Sequence, residues 1–140
     1  MTTRRIALAG LVVLLAGLAA SAPASARQAP KDRDFVVAAY FADWSIYGRG
    51  YRPKQIPADK LTHLLYAFGK PTAAGTCEVI DSWADFQRPF GADESVDGVA
   101  DNPADPNQHL FGNFNQLRKL KQAHPKLKIL IALGGWTLST

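Results

Sequence analysis

Lys126-Leu-Lys-Ile-Leu-Ile-Ala-Leu-Gly-Gly-Trp136 is an apolar run that opens onto two glycines and a tryptophan close to Thr140. From Leu127 to Leu133 the hydrophobicity is nearly continuous rather than alternating, the pattern of a strand covered on both faces. Two earlier runs are of the same type. Phe35-Val-Val-Ala-Ala-Tyr-Phe41 ends at Asp43, and Leu61-Thr-His-Leu-Leu-Tyr-Ala-Phe68 stops at Gly69 and Pro71. Between the second and third runs, Phe114, Leu117, Leu120 and Lys121 fall at helical spacing, with Asn113 as the candidate N-cap and His124-Pro125 as the stop. Strand, helix, strand predicts a parallel α/β sheet. Trp44 to Lys60, 17 residues containing Gly48, Gly50, Pro53 and Pro57, is long enough for the crossover that parallel pairing of the first two strands requires.

The stretch from about Thr72 to Gly112 is acidic and rich in Gly, Pro, Asp and Asn. Long connections of this kind are functional or disordered. Trp83, Phe86, Phe90 and Phe111 supply packing material, so an ordered excursion over the strand ends is expected. Its acidic residues, Glu78 to Asp105, and the basic block Arg118 to Lys128 read as solvated surface. There is no internal repeat.

The N-terminus has its own signature. Arg4 and Arg5 precede the apolar run Ile6 to Ala20, and Ala24-Ser25-Ala26 closes the segment, so the three regions of a secretory signal peptide occur in order. The run is about 15 residues, short of the roughly 20 needed to span a bilayer. Cleavage after residue 26, a linker over 27–34, a folded region over 35–140 and export to the extracellular space are therefore expected, with no membrane attachment of the mature chain. Without Arg4 and Arg5, 14 Lys+Arg face 12 Asp+Glu, a net charge of +2. That small excess, with no interleaving of cations and aromatics, argues against a nucleic-acid partner. Cys77 is the only cysteine, so no internal disulfide can form.

Residues 93–104 put Asp93, Ser95, Asp97, Gly98 and Asp101 on calcium-loop positions, but Ala104 stands where a bidentate Glu is required. His63, His109 and His124 show no metal-ligand spacing, and Gly134-Gly135 is followed by no phosphate-binding signature. No metal and no cofactor is expected. The aromatics point elsewhere. Tyr40, Trp44, Phe68 and Trp136 all fall at or just beyond the C-terminal ends of the three strands, and indole and phenol rings stack on the apolar faces of pyranoses. Pattern alone leaves Tyr40 and Phe68 open between core and ligand wall. Trp44 and Trp136, among Asp43, Ser45, Thr137 and Ser139, fit core less well.

Four pieces together, Ala39-Tyr-Phe-Ala-Asp-Trp-Ser-Ile-Tyr-Gly-Arg49, Leu61-Thr-His-Leu-Leu-Tyr-Ala-Phe-Gly69, Gly112-Asn-Phe-Asn-Gln-Leu117 and Lys121 to Leu130 running into Gly134-Gly-Trp-Thr-Leu-Ser139, resemble the secreted bacterial chitinases of glycoside hydrolase family 18. The resemblance implies a (β/α)8 TIM barrel, of which residues 35–43, 61–69 and 127–135 are the first three strands and the only ones present. It implies that Tyr40 and Phe68 wall the subsite of the distorted sugar, that Trp44 is a stacking platform with Tyr47 and Arg49 as outer contacts, and that Trp136 is a platform on the leaving-group side. The implied reaction is hydrolysis of β-1,4 bonds between N-acetylglucosamine units with retention, the substrate's own acetamido group acting as nucleophile. The implied partner is chitin or chitooligosaccharides, bound by a protein monomeric when complete. The family's D-G-x-D-x-D-W-E motif is absent from these 140 residues. Glu78 and Glu94 match nothing catalytic, so the chain alone is expected to be inactive. Ala132 also replaces the serine of the usual S-x-G-G strand. The alternatives are a non-catalytic chitin-binding lectin on the same barrel and a small secreted domain unrelated to sugars.

Overall fold

The structure is a computed structural model that describes residues 35–139; the signal-peptide and linker segments lie outside the described residues. Three of its four strands are those of the apolar runs: β1 (Ala38–Ala42), β2 (His63–Pro71) and β4 (Lys128–Leu133). Both β1 and β4 pair with β2 in parallel, with Tyr40 opposite Leu65 and Leu65 opposite Leu130. The fourth strand, β3 (Cys77–Val79), runs antiparallel to the end of β2, Gly69 opposite Val79 and Pro71 opposite Cys77. Sequence reading missed β3 because three exposed residues carry no hydrophobic period. What makes it is the turn before it, where Thr72 and Thr76 join main chain and hydroxyls and Gly75 takes φ +77°.

The β1–β2 crossover contains no long helix. Three 3₁₀ turns, Asp43–Ile46, Pro53–Gln55 and Ala58–Lys60, carry the chain back, and they bury Ile46, Ile56 and Ala58 against the sheet. The β2–β4 crossover carries α1 (Gly112–Ala123). Phe41, Leu64 and Tyr66 leave one face of the sheet to meet Leu117, Leu120, Leu127 and Phe90. Each fully buried apolar side chain there contributes about 1.5–3 kcal/mol. The helix ends at His124, where Pro125 cannot continue the ladder, and Lys121 Nζ ties the following turn to the helix by donating to the carbonyls of Pro125 (2.8 Å) and Leu127 (2.6 Å).

Three expectations change. Asn113 is not the cap: it lies inside the first turn of α1, fully buried, with its amide turned toward the sheet. Among the described residues β4 is not covered on both faces, since Leu130, Ile131 and Leu133 are each about half exposed. Nor is the acidic excursion simply solvated. Asp101 accepts from Phe90 N (2.9 Å), Asn115 Nδ2 (2.7 Å) and Gln108 Nε2 (2.9 Å); Glu94 pairs with Arg52 (2.6 Å) and Arg88 (2.9 Å). Lys119 Nζ binds Asp97 (2.9 Å) and lies 3.7 Å from Asp101. These carboxylates take the donors that a chain with little regular structure otherwise leaves unpaired. They also occupy the would-be calcium loop, and no cluster among the described residues is arranged to hold a metal ion. No helix among them is long and apolar enough to cross a membrane.

Candidate functional site

The C-terminal ends of β1, β2 and β4 lie side by side, so residues far apart in sequence meet there. Parallel strands make this unavoidable, because all three chains leave the sheet on the same side. Tyr40, 65 % exposed, brings its ring to 6.2 Å from that of Phe68, and the ring of Trp44 lies 6.1 Å from Phe68 on a tilted approach. Tyr40, Phe68 and Trp44 therefore form one aromatic wall. Tyr40 is not core, and Phe68 is only half-buried.

The two glycines that end β4 work toward this wall. Both have positive φ, +88° for Gly134 and +86° for Gly135. A methyl group on Gly135 would meet the Phe68 ring at 3.1 Å, and one on Gly134 would meet Ser139 Oγ at 2.5 Å. What approaches the backbone here is thus the protein's own ring and hydroxyl, Ser139 Oγ donating to Gly135 O at 2.6 Å. The folded turn leaves Trp136 98 % exposed, and among the described residues no ring contact joins it to the other three.

Tyr47 stands to one side, half exposed, its hydroxyl donating to Asp81 Oδ2 at 2.7 Å. That bond raises the phenol to about 12. Asp81 also accepts from Ala84 N (3.0 Å), fixing the π-helical turn Trp83–Gln87. Burial would raise the Asp81 carboxyl, but the Tyr47 hydroxyl and the backbone donors outweigh it and hold it low. Arg49 is exposed on the loop beyond.

Beneath the wall lies a buried polar cluster that sequence reading did not find. Tyr66 Oη donates to Asp85 Oδ1 and accepts from Asn113 Nδ2 (3.1 Å). Asn113 Nδ2 also donates to Asp43 O (3.1 Å), and Asp43 Oδ1 accepts the main-chain N–H of Trp44 (2.7 Å). Burial, with help from Asp85 and Asp81 and against the Trp44 hydrogen bond, pushes Asp43 up to about 6. Asp85 is raised by burial too, and burial together with the bond to Asp85 raises Tyr66. Asp85 Oδ2 and Asn113 Oδ1 are buried without a partner, each at a cost of about 1–3 kcal/mol. Apart from Asp43 and Trp44, the partners are 19 to 70 residues apart in sequence. Their one sequence signal is a polar group set among apolar neighbours, as at Asp43 and Tyr66.

Neither glutamate among the described residues is placed at the wall as a free acid. Glu78 sits on exposed β3, 3.9 Å from Lys70, and Glu94 is held between two arginines. What the exposed rings can do is stack against a flat, partly apolar ligand.

Residues 36–140 match Glycosyl hydrolases family 18. The chain belongs to this family. Among its relatives, chitinase C of Streptomyces lividans is 51 % identical over 104 residues, which are 71 % of this chain and 16 % of that protein. Endochitinase 1 of Metarhizium robertsii is 36 % identical over 95 % of this chain and 30 % of its own length. Of solved structures, the catalytic domain of the psychrophilic chitinase B from Arthrobacter TAD20 superposes with a TM-score of 0.66 at 41 % identity, over 73 % of this chain and 27 % of that one. The family 18 chain thus spans less than a third of each of these proteins.

Proposed function

We propose that the protein acts as a chitinase, hydrolysing β-1,4 bonds between N-acetylglucosamine units with retention and with the substrate's acetamido group as nucleophile. The observation that carries the reading is the convergence of Tyr40, Trp44 and Phe68 at the C-terminal ends of parallel strands in a family 18 chain, with Trp136 exposed on the turn after β4. In a (β/α)8 barrel that is the face where active sites are built. Tyr40 and Phe68 wall the reacting sugar, Trp44 and Trp136 stack sugars on either side, and Tyr47 and Arg49 contact the outer part of the chain. The half-exposed Leu130, Ile131 and Leu133 of β4, which alternate between the two faces of the strand, become covered when β4 pairs onward in a closed barrel whose further strands supply the acid. The relatives named chitinases, all longer than this chain, support that reading. The leader at residues 1–26 directs export, and chitin is met outside the cell.

The test is release of soluble N-acetylglucosamine oligomers from chitin by the full-length protein, with Trp44→Ala and Trp136→Ala as comparisons. Turnover that both substitutions reduce supports the reading. Chitin binding without turnover assigns the protein to the lectin alternative. Absence of binding overturns both.

A further inference from the structure

The cluster beneath the aromatic wall has a geometry that packing alone does not require. Asn113 is fully buried and spends both hydrogens of its amide on two different segments: the carbonyl of Asp43 and the hydroxyl of Tyr66, each at 3.1 Å. Asp43 O belongs to the peptide group whose nitrogen is that of Trp44. The N–H of that same peptide donates to Asp43 Oδ1 at 2.7 Å. The peptide entering Trp44 is therefore gripped at both its polar atoms, which fixes the direction in which the indole leaves the chain. Tyr66 lies two residues before Phe68 on β2, and Phe68 is the ring that Trp44 meets at 6.1 Å. Turning the amide over would satisfy Asn113 Oδ1, which is left buried without a donor, only by setting an oxygen against the Asp43 carbonyl. The orientation is thus dictated by the two acceptors.

We propose that Asn113 is a positioning residue for ligand binding, holding Trp44 at a set angle to Phe68 so that both rings meet one sugar chain. This rests on the reading of the wall as a chitin-binding surface. Asn113 itself lies too deep to touch the ligand. Its effect must pass through Trp44, and that makes it separable from a general loss of stability.

The experiment is a binding isotherm on chitin beads at 4 °C with the full-length protein, for Asn113→Ala, Trp44→Ala and the double variant. Loss of one stacking platform is expected to weaken binding about tenfold, and Asn113→Ala about fivefold. The double variant is expected to bind within twofold of Trp44→Ala alone, because a misplaced ring that has been removed has nothing further to lose. A merely structural role would lower the folded fraction in either background, and the losses would multiply to about fiftyfold. That result, or wild-type binding by Asn113→Ala, overturns the proposal. Wild-type binding by Trp44→Ala instead sinks the reading of the wall, and the proposal with it. Should Asn113→Ala fail to fold, Tyr66→Phe keeps the ring but removes one of the two acceptors. It is expected to lose about threefold, again only while Trp44 is present, and a loss that persists without Trp44 overturns the proposal.

Discussion

Replacing Gly112 by alanine tests how α1 is seated. Gly112 has φ +64°, and a Cβ there would lie 2.6 Å from the carbonyl carbon and oxygen of Asp85 and from the nitrogen of Phe86. The left-handed conformation costs an alanine about 1–2 kcal/mol. The overlap is with main chain, which cannot swing aside as a flexible side chain does, so overpacking adds about 1–3 kcal/mol. The sum, about 2–5 kcal/mol, is a large part of a domain's usual 5–15 kcal/mol or so. Gly98 is the control, with φ +74° and nothing within 4 Å of an added Cβ; Gly98→Ala should cost about 1–2 kcal/mol, the conformational part alone. Urea unfolding of the full-length protein, followed by tryptophan fluorescence with the m value checked, measures both. Equal losses for the two variants would refute the argument that close approach of α1 to the Asp85 turn, rather than backbone conformation, demands glycine.

Three further outcomes follow from the structure. Asp43 is raised to about 6, so the folded state holds its proton more tightly than the unfolded one; its favourable contribution is complete below about pH 4 and is lost as pH rises through 6. Asp43→Asn, whose amide oxygen still accepts from Trp44 N, should therefore gain about 1–3 kcal/mol at pH 7 and nothing at pH 4, and melts showing no such pH difference would contradict the assignment. For Asp97, burial acts upward but Lys119, Ser95 and the Val99 N–H outweigh it and hold the carboxyl at about 2, a contribution present above about pH 4 and lost as pH falls through 2. Lys119→Met should cost about 1–3 kcal/mol at pH 7, since Asp101 stays buried beside the missing ammonium, with the difference shrinking in acid; a constant loss down to pH 2 would count against ionic bracing. Trp136→Ala should leave stability within about 0.5 kcal/mol, because the ring is 98 % exposed, while weakening chitin binding about tenfold; a drop in melting temperature without a binding defect would reverse that assignment.

The three parallel strands and α1 were legible in the chain because each is a local pattern: unbroken apolar runs for the strands, Phe114, Leu117 and Leu120 at helical spacing for the helix. The position of Tyr40, Trp44, Phe68 and Trp136 at strand ends was legible for the same reason. That Tyr40 and Trp44 both lean on Phe68, while Tyr47 turns to Asp81, depends on which strands pair and in what register. Charge marks the acidic excursion as solvated surface only while no partner is in reach, and Arg52, Arg88, Lys119 and the amides of Asn115 and Gln108 come within reach only on folding.

By itself, then, the sequence determined the parallel strands, the helix, the family and which aromatic residues end the strands, since these follow from side-chain chemistry and its local period. Only the tertiary structure decided that Asn113 faces inward instead of capping α1, and that Asp43, Tyr66 and Asp85 share one buried cluster with it. Hydrogen bonds between residues up to 70 positions apart have no local signature; they exist because packing α1 onto β1 and β2 removes water and leaves these groups only one another.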